Sequence, residues 1–68
     1  MIILINTYKR LFDLYLGFYQ EDKANGKTDY GSFYRVKLLG MLTIMNESGV
    51  IDFGTYCYER DLLYENFN

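Results

Sequence analysis

Histidine, tryptophan and proline are absent from this 68-residue chain, and cysteine occurs once, as Cys57. Acid–base catalysis near neutral pH most often uses histidine, and a nucleophilic Ser or Cys needs a base beside it. Both routes lose their usual residue, so the sequence predicts a protein that is not an enzyme, with no catalytic residues. A lone cysteine excludes an intramolecular disulfide, and without histidine it excludes a zinc site of the usual nitrogen and sulfur kind. No metal and no cofactor are expected. Cys57 falls on an apolar helical stripe, where a thiol is a small buried packing residue rather than a reactive group.

Long apolar runs are missing as well. The opening Met1-Ile2-Ile3-Leu4-Ile5 has no basic stretch before it, and Asn6, Lys9, Arg10 and Asp13 follow too soon for a signal sequence or a spanning helix. A cytoplasmic protein with a free thiol and no membrane partner is expected. The six glycines lack the spacing of a phosphate cradle, and Gly17 and Gly40 read as places where helices approach closely.

Against these absences stand eight Tyr and five Phe, with half the residues apolar and a formal net charge of −2. That balance belongs to a folded domain, and residues 1–68 are read as a single helical domain. A chain this short buries only about 60% of its unfolded surface, so oligomerisation or partner binding is the expected supplement to its core. Residues 1–37 carry a charge of +2 and residues 38–68 a charge of −4, a polarity that can bring copies together head to tail or antiparallel.

The fold class predicted is all-α, a small three-helix domain with helices over roughly 3–22, 30–47 and 53–66. In the first, Leu4, Ile5, Tyr8, Leu11, Phe12, Tyr15, Leu16, Phe18 and Tyr19 share one arc, with Leu14 alone among large apolar groups on the polar side and Ile2 and Ile3 pointing away. The turn at Asn25-Gly26 leads to a second helix opened by Thr28, Asp29 or Ser32. Its main face is Tyr34, Leu38, Met41, Leu42 and Met45, while Phe33, Val36, Leu39 and Ile44 spread apolar groups round the rest. Gly49 suits the end of this helix, and Asp52 suits the N-cap of a third. There Phe53, Tyr56, Cys57, Leu63, Tyr64 and Phe67 share a face, and Tyr58 and Leu62 sit on the far side. A competing α+β arrangement pairs Val50-Ile51 with residues 2–5 in a small sheet.

Ile2, Ile3, Leu14, Val36, Leu39, Tyr58 and Leu62 have no ready place in a monomeric three-helix core, and so predict a protein–protein interface. Tyr adds contact area with few rotatable bonds to freeze. Arg60 projects among Tyr56 and Tyr64, where its guanidinium can lie over a ring or pair with a carboxylate from another helix, as a structural anchor or as a binding hot spot. The interface set is therefore Leu14, Val36, Leu39, Tyr58, Leu62 and Arg60. A homo-oligomer, a protein partner, or both are expected.

The alternative is a small nucleic-acid-binding regulator, since residues 38–65 resemble a helix-turn-helix in outline. The start of its second helix, however, offers Ile51, Asp52, Phe53 and Thr55 instead of base-reading side chains, in the acidic half of the chain. Lys9, Arg10, Lys23, Lys27, Arg35 and Lys37 interleave with Tyr8, Tyr30 and Tyr34, a mixture that can hold a single strand but is diluted by acids. The small size and the wealth of Ile, Asn, Lys, Tyr and Phe resemble the orphan proteins of phages and mobile elements, whose known members often inhibit host defence or transcription by binding a protein. That resemblance implies an inhibitor or adaptor of a host protein complex, and it assigns no residues.

Overall fold

The computed structural model describes the backbone from Ile2 to Asn68 and the side chains from Ile3 onward. The expected outward position of the Ile2 side chain lies outside the described residues. Three helices follow one another: α1 (Ile2–Ala24), α2 (Gly31–Glu47) and α3 (Phe53–Asn66). The molecule is the small all-α domain its periodicity predicts.

Both connections are glycine-ended helix caps of one design. After α1, Gly26 has φ of 78°, its N–H donates to the Lys23 carbonyl at 3.0 Å, and Lys27 N–H donates to the Asp22 carbonyl at 2.7 Å. After α2, Gly49 has φ of 77°, its N–H reaches the Asn46 carbonyl at 3.2 Å, and Val50 N–H reaches the Met45 carbonyl at 2.8 Å. Each pair satisfies carbonyls that a helix end leaves orphaned, with glycine supplying the left-handed residue.

The second cap also removes the sheet. Val50 and Ile51 turn their amides back to the Met45 carbonyl, at 2.8 and 3.2 Å, instead of pairing with residues 2–5. No strand occurs among the described residues.

At the start of α3, Asp52 is extended, with ψ of 172°, and its Oδ1 accepts from the Thr55 amide at 2.7 Å, as its position predicts. The start of α2 differs from expectation. Its N-cap is Tyr30, which makes no side-chain cap bond, so Thr28, Asp29 and Ser32 do not open the helix. Burial fixes that end instead. A Cβ built on Gly31 would lie 2.8 Å from Tyr19 Cζ and 2.9 Å from the Phe67 carbonyl oxygen, so only glycine permits α2 to begin against these two residues.

α2 is the central helix and packs on both neighbours, whereas α1 and α3 meet each other only slightly. Tyr8, Tyr19, Leu38, Leu42, Met45, Leu63 and Phe67 form the buried core, with Leu4, Ile5, Leu11, Phe12, Tyr15 and Leu16 packed against it. Phe67, just past α3, is fully buried: its ring meets Phe12 edge-on at 5.4 Å and stacks on Tyr19 at 5.9 Å. A domain of 39 × 20 × 14 Å with α2 in the middle leaves much of each outer helix uncovered. Phe18, Phe53 and Tyr64, which share arcs with true core residues, are therefore exposed. Gly17 and Gly40 are corrected too. Among the described residues nothing lies within 4 Å of a Cβ at either, and within the chain the close approach expected there occurs at Gly31.

Candidate protein interface

The predicted interface residues divide into two groups. Leu14 on α1, Val36 on α2 and Tyr58 on α3 are exposed, by 48%, 65% and 64%. Leu39 and Leu62 are partly covered: Leu39 packs against the core, and Leu62 lines a shallow cleft with Tyr8, Phe12 and Glu59. Helix periodicity puts both on outer arcs, but α2 is flanked on two sides and Leu62 falls at the cleft between α3 and α1. The exposed members stand on three different helices and form no single patch around one centre.

Two exposed neighbourhoods have internal order. Along α2, Phe33, Val36 and Ile44 are all more than half exposed and recur at helical spacing with the uncovered Gly40 between them. Lys37 Nζ lies 4.6 Å from the centre of the Phe33 ring, over its face. In sequence, Phe33 and Ile44 register only as scattered apolar groups, because Gly40 interrupts the stripe they belong to.

The other neighbourhood runs along α3. Phe53 stacks on Tyr56, with centroids 6.0 Å apart and planes 15° from parallel, and the Arg60 guanidinium sits 5.9 Å from the Tyr56 ring. Arg60 also donates to Asp61 Oδ1 at 3.3 Å, and that bond, ahead of other causes, raises the pKa of a guanidinium that is already a cation. Further along, the Arg35 guanidinium lies 4.6 Å from the Tyr64 ring and donates to the Phe67 carbonyl at 3.1 Å. Arg60 thus takes the ring-facing position expected of it, against Tyr56. Arg35 was the partner that spacing within α3 could not reveal.

Where α1 and α3 diverge, a cavity of about 320 Å³ opens, lined by Ile5, Tyr8, Leu42, Met45, Val50 and Ile51, with Lys9, Thr55 and Glu59 among its polar groups. Tyr8 is 3% exposed, yet among the described residues its hydroxyl has no protein hydrogen-bond partner. Burial raises its pKa, with the Glu59 charge adding to the rise. Across the chain, Tyr34 is differently served: its hydroxyl donates to Asp22 Oδ2 at 2.9 Å.

Several cations of the first half are held over rings, Lys23 at 5.0 Å from Tyr19 besides Arg35 and Lys37. Cys57 is partly exposed instead of fully buried. Among the described residues, no three Cys, Asp or Glu side chains gather as metal ligands, and no helix is long and apolar enough to cross a membrane. The chain matches no protein-family model, no curated protein and no solved structure.

Proposed function

We propose that this is a non-catalytic protein-binding protein that docks on a larger protein complex in the cytoplasm and blocks or adapts it, in the manner of small inhibitors that phages and mobile elements direct against host defence. The observation that carries this reading is the inverted distribution of apolar side chains. Among the described residues, ten large hydrophobic side chains are exposed while seven form the buried core. Isolated surface apolar residues need no explanation, but ordered stripes of them mark contact surfaces. Tyr58 and the row of Phe53, Tyr56 and Arg60 supply the residue types that carry binding energy once water is excluded.

Partner capture with tagged full-length chain, in the cells that produce it, tests the reading. Wild type is expected to retain a specific protein that Tyr58→Ala and Arg60→Ala release, with both variants keeping the wild-type circular dichroism. Recovery of nucleic acid instead, with binding that weakens steeply as salt rises, would replace this reading with the regulator alternative.

A further inference from the structure

The outer face of α2 is nearly self-complementary about one residue. Val36 and Ile44 each stand four positions from Gly40, and Phe33 and Glu47 each stand seven. At 100° per residue these five and Lys37 share an arc of about 100° on the side of α2 away from its buried residues. All six are exposed.

We infer that a second copy of this chain covers this face, with the two α2 helices antiparallel and crossing at Gly40 on a two-fold axis. The inference deepens the protein-binding reading, on which it rests for the use of exposed apolar surface as a contact. In this register Val36 packs beside Ile44 of the second copy, and Phe33 lies opposite Glu47 of the second copy. Because Lys37 rests over Phe33 at 4.6 Å, its ammonium is brought within reach of that carboxylate, and the same pair recurs across the axis. A parallel pairing sets Lys37 beside Lys37 and Glu47 beside Glu47, like against like. Charge therefore selects the antiparallel arrangement.

Gly40 supplies the geometric half of the argument. A glycine in a helix interior weakens the helix relative to alanine, and among the described residues of one chain nothing lies within 4 Å of where its Cβ would be. The second helix gives that missing Cβ a purpose, since two backbones can approach closely only where no side chain separates them. The arrangement is isologous and closed, so it stops at a dimer.

Sedimentation equilibrium of the full chain over micromolar concentrations tests this, beside thermal unfolding at dilution. Wild type is expected to dimerise, and Ile44→Asp to be monomeric with unchanged helical content. Gly40→Ala is expected to weaken dimerisation about tenfold while raising the melting temperature of the dilute monomer, opposite signs that a merely structural glycine does not produce. Lys37→Glu and Glu47→Lys should each weaken the dimer, and the double exchange should restore it. A wild-type chain that stays monomeric, or a dimer indifferent to both Gly40→Ala and the charge exchange, overturns the inference. A monomer that still captures a partner protein overturns the α2 dimer alone and leaves the protein-binding reading standing.

Discussion

Tyr19 and Phe67 stack with ring centroids 5.9 Å apart and planes 28° from parallel, and the first residue of α2, Gly31, is pressed beneath them. This contact joins all three segments of the fold at one place: the second half of α1, the start of α2 and the residue following α3. It fixes where α2 begins, at an end that carries no side-chain cap.

Gly31→Ala is expected to destabilise the domain by about 1–3 kcal/mol, the usual effect of overpacking, because one of the atoms its Cβ meets is a backbone oxygen that cannot rotate away. Gly17→Ala should do the reverse, gaining about 0.5–1 kcal/mol, since its Cβ meets nothing within 4 Å among the described residues. Urea unfolding followed by circular dichroism distinguishes the two. Equal stability of Gly31→Ala and wild type would show that the contact does not set the position of α2.

The contrast between these glycines explains what could be read before the structure was known. Turn glycines announce themselves by what surrounds them, and Gly26 and Gly49 were identifiable because a polar turn follows a periodic stretch. Gly31 is different, because its role depends on Tyr19 and Phe67, which are distant in sequence. The same limit applies to the rings: Tyr19 and Phe18 belong to one arc of α1, yet only Tyr19 reaches the core. Leu39 and Leu62 fail as free surface for a related reason, since an angular position on a helix does not say how many neighbours flank it. Leu14, Val36 and Tyr58 are readable as exposed side chains because each opposes its own helix's apolar stripe.

Asp52 should make α3 sensitive to acid. The Thr55 amide bonded to its carboxylate lowers its pKa, so the native state holds this proton less tightly than the unfolded chain. The stabilisation is complete above the ordinary carboxylate pKa of about 4 and is lost as pH falls through the lower, folded value. Asp52→Asn keeps a capping oxygen without a titrating group, so its melting temperature should change less than that of wild type between pH 7 and pH 2. Parallel acid profiles for the two would refute this assignment. Asp52→Ala should melt lower than both at neutral pH.

Arg35 fastens the end of α3 to α2 in two ways, donating to the Phe67 carbonyl at 3.1 Å and covering the Tyr64 ring at 4.6 Å. Lysine preserves the charge but loses the planar fork that makes both contacts together. Arg35→Lys is expected to cost about 1–2 kcal/mol of stability, and Tyr64→Leu to remove the ring contribution while leaving the carbonyl bond. If the two substitutions are additive in a double-mutant cycle, the ring contact contributes nothing. A coupling energy of about 0.5 kcal/mol or more is the expected result.

Tyr8 gives the sharpest prediction, because its ring belongs in the core and its hydroxyl does not. The side chain is 3% exposed and, among the described residues, no protein group bonds its hydroxyl, so folding takes the hydroxyl out of bulk water without giving it a protein partner. Tyr8→Phe is therefore expected to raise stability by about 1 kcal/mol at pH 7, against the general tendency of core substitutions to lower it. Alkaline pH supplies an independent check. Burial, then the Glu59 charge, raises the Tyr8 pKa, so the native state keeps this proton after the unfolded chain has released it. Stability must then fall as pH rises above the ordinary tyrosine value of about 10, a dependence to which Tyr34, also raised, adds in the same sense. Replacing Tyr8 with Phe removes its share and leaves that of Tyr34, giving a shallower alkaline limb in unfolding experiments from pH 8 to 11. A Tyr8→Phe protein less stable than wild type would mean that the hydroxyl finds an acceptor in solution. Glu59, which lines the same cavity, is the candidate, and Glu59→Gln would then lower stability in the wild-type chain but not in Tyr8→Phe.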